Sequence, residues 1–336
     1  MKVQIIASLS AVEATIQTGA SPINFKFIIE GEEEIGSPNL HEVLETQAAL
    51  FQSDVILNPD AGMISPETPT IVYGLRGLAY FELKVFGPDH DLHSGLFGGI
   101  VHNPAIVLAD LISGMHDENG VITLPNFYDD VKELSQDEKF KLSQLPITEE
   151  DLLKQTGAKE LRGEKGFSHI ERTGARPTLD VNGMLSGFTG EGSKTIIPAW
   201  AMAKISMRLV PDQDPNRVQN QLIEYLNIHV PSTVSWELKK FAGGPASVAN
   251  LNHPGVIALE KSLERTWGAK PVYKREGGSI PVVADMQKYI GVDSILTGFG
   301  LPEDNIHSPN EKLNLYTWRK GIQALIHFFY EYAGLE

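Results

Sequence analysis

The stretch Ile29-Glu30-Gly31-Glu32-Glu33-Glu34-Ile35-Gly36-Ser37 constrains this chain more than any other. The run before it, residues 23–29, carries the branched and aromatic side chains of a buried strand. Ser37-Pro38 after it is a helix-start signal, a capping hydroxyl followed by proline at the first helical position. Four carboxylates are therefore expected in one strand-to-helix loop. In open α/β sheets ligands sit there, beyond the carboxyl ends of the strands. Crowded carboxylates repel unless a cation neutralises them or one takes up a proton. An acidic loop can also simply face solvent and cap a helix dipole. Here the adjoining glycine-serine turn and apolar strand favour a working site. Neighbouring glutamates suit two jobs, one binding a metal and the other moving protons at a metal-bound water.

The chain has no cysteine, so thiolate ligands and disulfides are excluded. Oxygen and imidazole ligands remain, which suits zinc in a hydrolase, or manganese. Two further residues have the right chemistry and position. Asp54-Val55-Ile56-Leu57 reads as a strand running into Asn58-Pro59-Asp60-Ala61-Gly62, which puts Asp60 at a strand end. A strand over 293–297 leads through Gly298-Phe299-Gly300 to Asn305-Ile306-His307-Ser308-Pro309. Taken singly, Asp60 reads as a turn aspartate and His307 as a surface histidine. With Glu34 they make three metal-type residues, each at a strand end of one α/β region.

That region is discontinuous. Helix 2–18, strand 23–29, helix 38–51 and strand 54–58 alternate as βα units do. In the first helix Ile5, Leu9, Val12 and Ile16 fall at helical spacing. The pattern then changes. Residues 70–86 read as a long strand or hairpin, followed by the glycine-rich Asp91-Leu92-His93-Ser94-Gly95 and a helix from Asn103-Pro104. Strands over 195–210 and 233–241 flank a helix over 216–228, and charged helical pieces cover 129–142 and 148–156. Strand–helix–strand–helix–strand with an insertion suggests a ferredoxin-like α+β module. The α/β character returns with a helix over 254–267 and ends with one over 316–332. The expected layout is a domain of residues 1–69 and 275–336 interrupted by an inserted domain of 70–274. The acidic balance, 43 Asp and Glu against 28 Lys and Arg, argues against nucleic acid or anionic membranes as partners. No apolar run reaches the length of a membrane span, and a cytoplasmic protein is expected.

At this point the sequence resembles the co-catalytic di-zinc metallopeptidases of the carnosinase and aminoacylase type, nearest to the nonspecific dipeptidases among them. The resemblance implies a zinc-peptidase-like catalytic domain with an inserted lid and dimerisation domain. It makes Glu33 the general base and Glu34 a metal ligand. Asn58-Pro59-Asp60-Ala61-Gly62 is similar to the segment with a further aspartate ligand, and the loop through Lys312-Leu313 to the one with the metal histidine, His307. Asp91-Leu92-His93-Ser94-Gly95 resembles the lid motif whose histidine reaches the partner subunit's site. Lys194-Thr195-Ile196-Ile197-Pro198 and Ser206-Met207-Arg208-Leu209-Val210-Pro211 resemble segments that supply Thr195 and Arg208 for the substrate's carboxylate end. Arg275-Glu276-Gly277-Gly278-Ser279-Ile280-Pro281 resembles a substrate-lining loop, with Glu276, Gly278 and Ser279 as contacts. The implied activity is hydrolysis of dipeptides or short peptides by a homodimer carrying two zinc ions per site, manganese being the alternative metal.

Two departures bear on that expectation. The family's upstream His-x-Asp motif and the segment with the aspartate that bridges both metals have no counterpart after Met1, so a catalytic domain truncated at its N-terminus is expected. Such a chain is expected to retain zero or one metal and to be impaired as a hydrolase. Where the dipeptidases carry a histidine before Gly-Gly, this chain has Ala242 before Gly243-Gly244. The competing readings are a non-catalytic homologue that binds peptides or serves assembly, and an amidohydrolase of N-acyl amino acids.

Overall fold

The computed structural model describes residues 2–19, 21–306 and 308–334, and within them every side chain except those of Lys2, Glu34 and Pro281. The chain divides into two compact units, Met1–Leu75 with Leu134–Thr148 and Ser247–Glu336, and Arg76–Glu133 with Glu149–Ala246.

The first unit is built on a mixed sheet. Strand Ile56–Asn58 pairs parallel with Ser294–Leu296, which meets Thr70–Leu75 antiparallel. Thr70–Leu75 in turn pairs parallel with Val272–Glu276 and antiparallel with Ser247–Val248. Thr70–Leu75 is buried along its whole length, as a central strand of branched residues should be. The boundaries expected from sequence therefore move. Residues 70–75, and the helix Pro254–Trp267 with the strand after it, belong to this unit because their hydrogen bonds and apolar faces are satisfied here. Val256, Leu259 and Leu263 are buried as the helical spacing predicted. Residues 70–86 are not a hairpin, because Thr70–Leu75 and Gly77–Phe86 enter different sheets.

Residues 23–29 are not a strand among the described residues. The segment is held by its side chains instead. Phe25 stands edge-on to Phe329 at 4.7 Å, Ile28 packs against the Leu44 and Val282 cluster, and Lys26 Nζ donates to the carbonyls of Leu50 and Gln52. The expected burial fails as well, since Phe27 and Ile29 are exposed and no residue of 23–29 is fully buried; a ladder also requires a neighbouring backbone.

The first helix, Lys2–Gln17, buries a different face from the one its large side chains suggested. Ala7, Ala11 and Thr15 are buried, whereas Ile6, Leu9 and Ile16 are exposed. The buried positions recur every four residues. Small residues let this helix approach Leu315–Ala333, where Trp318 Nε1 donates to the Val3 carbonyl at 3.1 Å.

In the second unit the antiparallel sheet runs Thr178–Ser186, Trp200–Leu209, Gly77–Phe86, Ser235–Gly244 in spatial order. Pro104–Gly114 and Pro215–His229 are its crossover helices. Strand–helix–strand–strand–helix–strand is the ferredoxin-like succession. Alternate residues of the central strands, Ala79, Phe81, Leu83, Val85 and Ala201, Ala203, Ile205, Met207, are buried under the helices and form the core of this unit.

His327, on the closing helix, lies 3.1 Å from the Thr266 hydroxyl. Burial lowers its pKa below 6.5 and the Arg265 charge lowers it further, against an opposing pull from Glu331. The fold thus prefers the neutral ring. Its contribution is complete above the unfolded value and is lost as pH falls through the folded one. Replacing His327 with Asn should shrink the fall in melting temperature between neutral pH and about pH 5. His116, lowered in the same direction, supplies part of the remaining fall.

Candidate active site

The acidic stretch folds into a single 3-10 turn, Glu33–Ile35, closed by Gly36 at φ 87°. The Gly36 N–H donates to the Glu33 carbonyl at 2.8 Å and the Ser37 N–H to the Glu32 carbonyl at 3.0 Å. Ser37 itself sits at φ 51°, in the left-handed region. Its side chain makes no capping bond, and its Oγ is buried without a hydrogen-bond partner among the described residues. A capping serine needs extended backbone to reach the next turn's N–H groups, so the expected serine cap is replaced by proline alone at the start of Pro38–Gln47.

The glutamates have separate environments. Both Glu32 carboxylate oxygens lie 2.8 Å from Asn39 Nδ2. Glu30 Oε2 is buried with no hydrogen-bond partner among the described residues. Glu33 is half-buried in the turn. The Glu34 side chain lies outside the described residues.

Asp60 follows the edge strand Ile56–Asn58, and its N–H donates to Asn58 Oδ1 at 3.0 Å. The loops after the two parallel strands are zipped together. Thr297 N–H donates to the Asn58 carbonyl at 3.0 Å, Ala61 N–H to Thr297 at 2.9 Å, and Met63 N–H to Gly300 at 2.8 Å. Only glycine fits at 298, where a Cβ would lie 1.4 Å from the Ala61 carbonyl oxygen. The second loop is then folded back on itself. Asp304 is buried and accepts from the Leu301 N–H at 2.8 Å, while its carbonyl accepts from Lys312 at 2.9 Å. Asn305 and Asn310 take left-handed conformations inside that span. His307 lies outside the described residues, and among the described residues no three His, Asp or Glu side chains form a metal-sized group. Parallel pairing thus joins the loop of Asp60 to the loop that contains His307. The glutamate loop, lacking a ladder strand before it, is not brought in by the parallel-neighbour geometry expected from sequence.

The donor chemistry fits a divalent cation. Asp60 sits on a loop beyond a parallel strand end, and the inward Glu30 oxygen lacks the positive charge or hydrogen that a buried carboxylate requires.

The second unit brings two of the expected site residues together. Leu92–His93 pairs with Ile196–Ile197, and the Ser94 N–H donates to the Thr195 carbonyl at 2.9 Å. His93 is exposed and its Nδ1 accepts from the Gly95 N–H at 2.9 Å. An amide N–H can only donate, so the hydrogen of the neutral ring stands on Nε2. Arg208 is half-buried on Trp200–Leu209, opposite Thr178 and Leu78. Half-buried Arg76 shares its surroundings, and its pKa falls to about 10, first through burial, then through the Arg208 charge, with Asp180 opposing. This end of the sheet is rich in guanidinium charge, which favours a carboxylate.

In the glycine-rich loop, Glu276 accepts from Lys274 Nζ at 2.9 Å and Ser279 is half-buried. Gly278 is exposed, and a Cβ there would meet no atom of this chain within 4 Å. Ala242, at the position where the resemblance implies a histidine, is exposed and pairs with Tyr80 at the edge of a register shift. Sequence reasoning missed the steric demand at Gly298, the inward turn of a Glu30 oxygen and the partial burial of Arg76. Glycine directly after a strand was a signal for the first, but no sequence pattern gave the others.

The fold and these loops define a metallopeptidase-like protein. The chain belongs to peptidase family M20/M25/M40, whose model matches residues 1–331. Among its relatives, a Cys-Gly metallodipeptidase of Schizosaccharomyces pombe is 32% identical over 98% of this chain and 71% of its own length. The human Beta-Ala-His dipeptidase is 32% identical over 94% of this chain and 63% of its own length. The crystal structure of an M20 family metallo-carboxypeptidase from Sulfolobus solfataricus superposes with a TM-score of 0.90 at 32% identity, covering 99% of this chain and 76% of that one. The chain thus spans roughly two thirds to three quarters of these relatives. No described helix is long and apolar enough to cross a membrane.

Nitrogen chemical shifts of neutral His93 should report the Nε2–H tautomer. Gly95→Ala, whose Cβ would stand 2.8 Å from His93 Cε1, should displace the ring and mix the tautomers. A dominant Nδ1–H form in the unsubstituted protein would overturn the hydrogen-bond assignment.

Proposed function

We propose that this protein is a metal-dependent peptidase that hydrolyses the amide bond of dipeptides or short peptides bearing a free carboxylate. The observation that carries the reading is the match to a metallodipeptidase across 98% of the chain. The names of the relatives, a Cys-Gly metallodipeptidase and a metallo-carboxypeptidase, both fit a substrate with a free C-terminus.

Glu34 and His307 would hold one metal, with zinc favoured and manganese the alternative for this oxygen and nitrogen donor set, while Asp60, a ligand type for a second, would not hold it alone. When bound, such an ion supplies Lewis acidity that polarises a carbonyl and makes water a stronger acid. Glu33 takes the proton of the attacking water and delivers it to the departing amine. His93 donates its Nε2–H to the carbonyl oxygen as negative charge develops there. Arg208 pairs with the terminal carboxylate, Thr195 lies beside it, and Glu276, Gly278 and Ser279 line the peptide. Gly278 leaves space for a peptide backbone to approach.

His93 acts in the site of a second copy, in a homodimer formed through the second unit. Leu96, Ile100 and Ile106 of that unit are exposed, which suits burial against another chain. A cytoplasmic location fits the absence of cysteine.

Glu33→Gln should leave metal content unchanged and lower kcat by roughly 10²–10⁴-fold, because the amide keeps the shape but accepts no proton. Metal analysis alongside steady-state rates checks this, and near-normal turnover would remove Glu33 from the role. Arg208→Ala should weaken free-carboxylate peptides by about 2–5 kcal/mol in kcat/KM, the range for truncating one partner of a buried charge pair. C-terminally amidated peptides should change far less. Equal losses on both would count against the pairing.

A further inference from the structure

The strand Val272–Glu276 runs directly into Gly277-Gly278-Ser279, and how it ends sets how that loop leaves the sheet. Its pairing with Thr70–Leu75 shifts register between Lys274 and Arg275. An irregularity of this kind re-aims the side chain beside it. Arg275 turns inward, with its side chain 10% exposed. The guanidinium lies 5.3 Å from the Tyr73 ring centre, and Arg275 Nε donates to the Tyr73 hydroxyl at 3.2 Å. Gly74 leaves room for the stem, since a Cβ there would stand 3.2 Å from Arg275 Cγ.

A guanidinium this buried requires a counter-charge. Glu138, on the helix Gln136–Ser143, supplies it as an ion pair with Arg275. The same carboxylate closes a capping box, Oε2 accepting from the Ser135 N–H at 3.2 Å and hydroxyl at 3.0 Å. Lys141 of that helix stands 5.6 Å over the Tyr273 ring, anchoring the helix to the same strand. The titration behaviour agrees. Burial alone would raise the Glu138 carboxyl, yet the Arg275 charge and the Ser135 bonds lower it overall. Tyr73 is pushed up to about 12, chiefly by burial.

We infer that Glu138 is a positioning residue: by holding Arg275 inward at the register shift, it fixes the exit of Val272–Glu276 and so the backbone of residues 277–279. The inference deepens the proposed function and rests on that loop's role in lining the peptide. The helix bearing Glu138 comes from the stretch Leu134–Thr148, which the sequence pattern assigned to the inserted domain and which packs as part of the first unit.

Glu138→Gln tests this, because it keeps the shape and the capping acceptor and removes the charge. Two readings are taken on the whole chain: hydrogen exchange of the 277–279 amides, and kcat and KM for a dipeptide. Exchange at 277–279 should quicken about tenfold, the loss expected for one charged hydrogen bond, with the helix Pro254–Trp267 unchanged. KM should rise by a similar factor with a smaller change in kcat. Glu138→Asp, which keeps the charge, should recover part of both effects. Unchanged exchange at 277–279 in Glu138→Gln would overturn the inference, and so would faster exchange with an unaltered KM. If the unsubstituted chain neither binds nor cleaves dipeptides, the proposed function fails instead, and loop exchange alone decides whether Glu138 holds the strand exit.

Discussion

The parallel pairing of Ile56–Asn58 with Ser294–Leu296 is the constraint on which the first unit's candidate site depends. Two short strands, distant in sequence, are aligned so that their carboxyl ends coincide. The loops that follow exchange backbone hydrogen bonds, and the contact at Gly298 is close enough to exclude every other residue. Asp60 is thereby fixed relative to the turn held by Asp304, the span containing His307. Side chains that must act together are best carried on backbone that cannot separate. Here the backbone ladder continues past the strands into the loops themselves.

The second unit uses the same economy with different parts. A two-residue strand joins His93 to the Thr195 segment. One amide N–H, from Gly95, decides which ring nitrogen of His93 can donate. Exposure leaves that nitrogen available to a substrate or a neighbouring chain. Arg208 and Arg76 concentrate positive charge at one end of a sheet in a chain whose net charge is −15. A local field of this sign attracts anions, even though the molecule as a whole repels them.

Glu32 is tied to Asn39 and Glu30 is turned inward, so the carboxylates are partitioned rather than pooled. The strained Ser37 maintains that partition by reversing the chain immediately before Pro38–Gln47. Residues held in sparsely populated backbone regions persist when the surroundings determine them, and sites of chemistry are where they collect.

Much of this was legible in the sequence, because the patterns concerned are local. Helical spacing in Pro254–Trp267, proline at helix starts, and glycine after strands each report on a few neighbouring residues. Glu33, Glu34, Asp60 and His307 became candidates through their chemistry and their place after apolar runs, and His93 through the family resemblance. The tertiary structure decided what depends on partners far along the chain. Apolar residues 23–29 form no ladder among the described residues, since a ladder needs a second backbone beside it. Ala7, Ala11 and Thr15, rather than the bulkier side chains, face the closing helix, because close approach selects for small residues. The charged helix Gln136–Ser143 crosses an apparent domain boundary because Arg275 is buried and needs Glu138. Local propensity can specify a helix, but only the fold determines which distant charge it must meet.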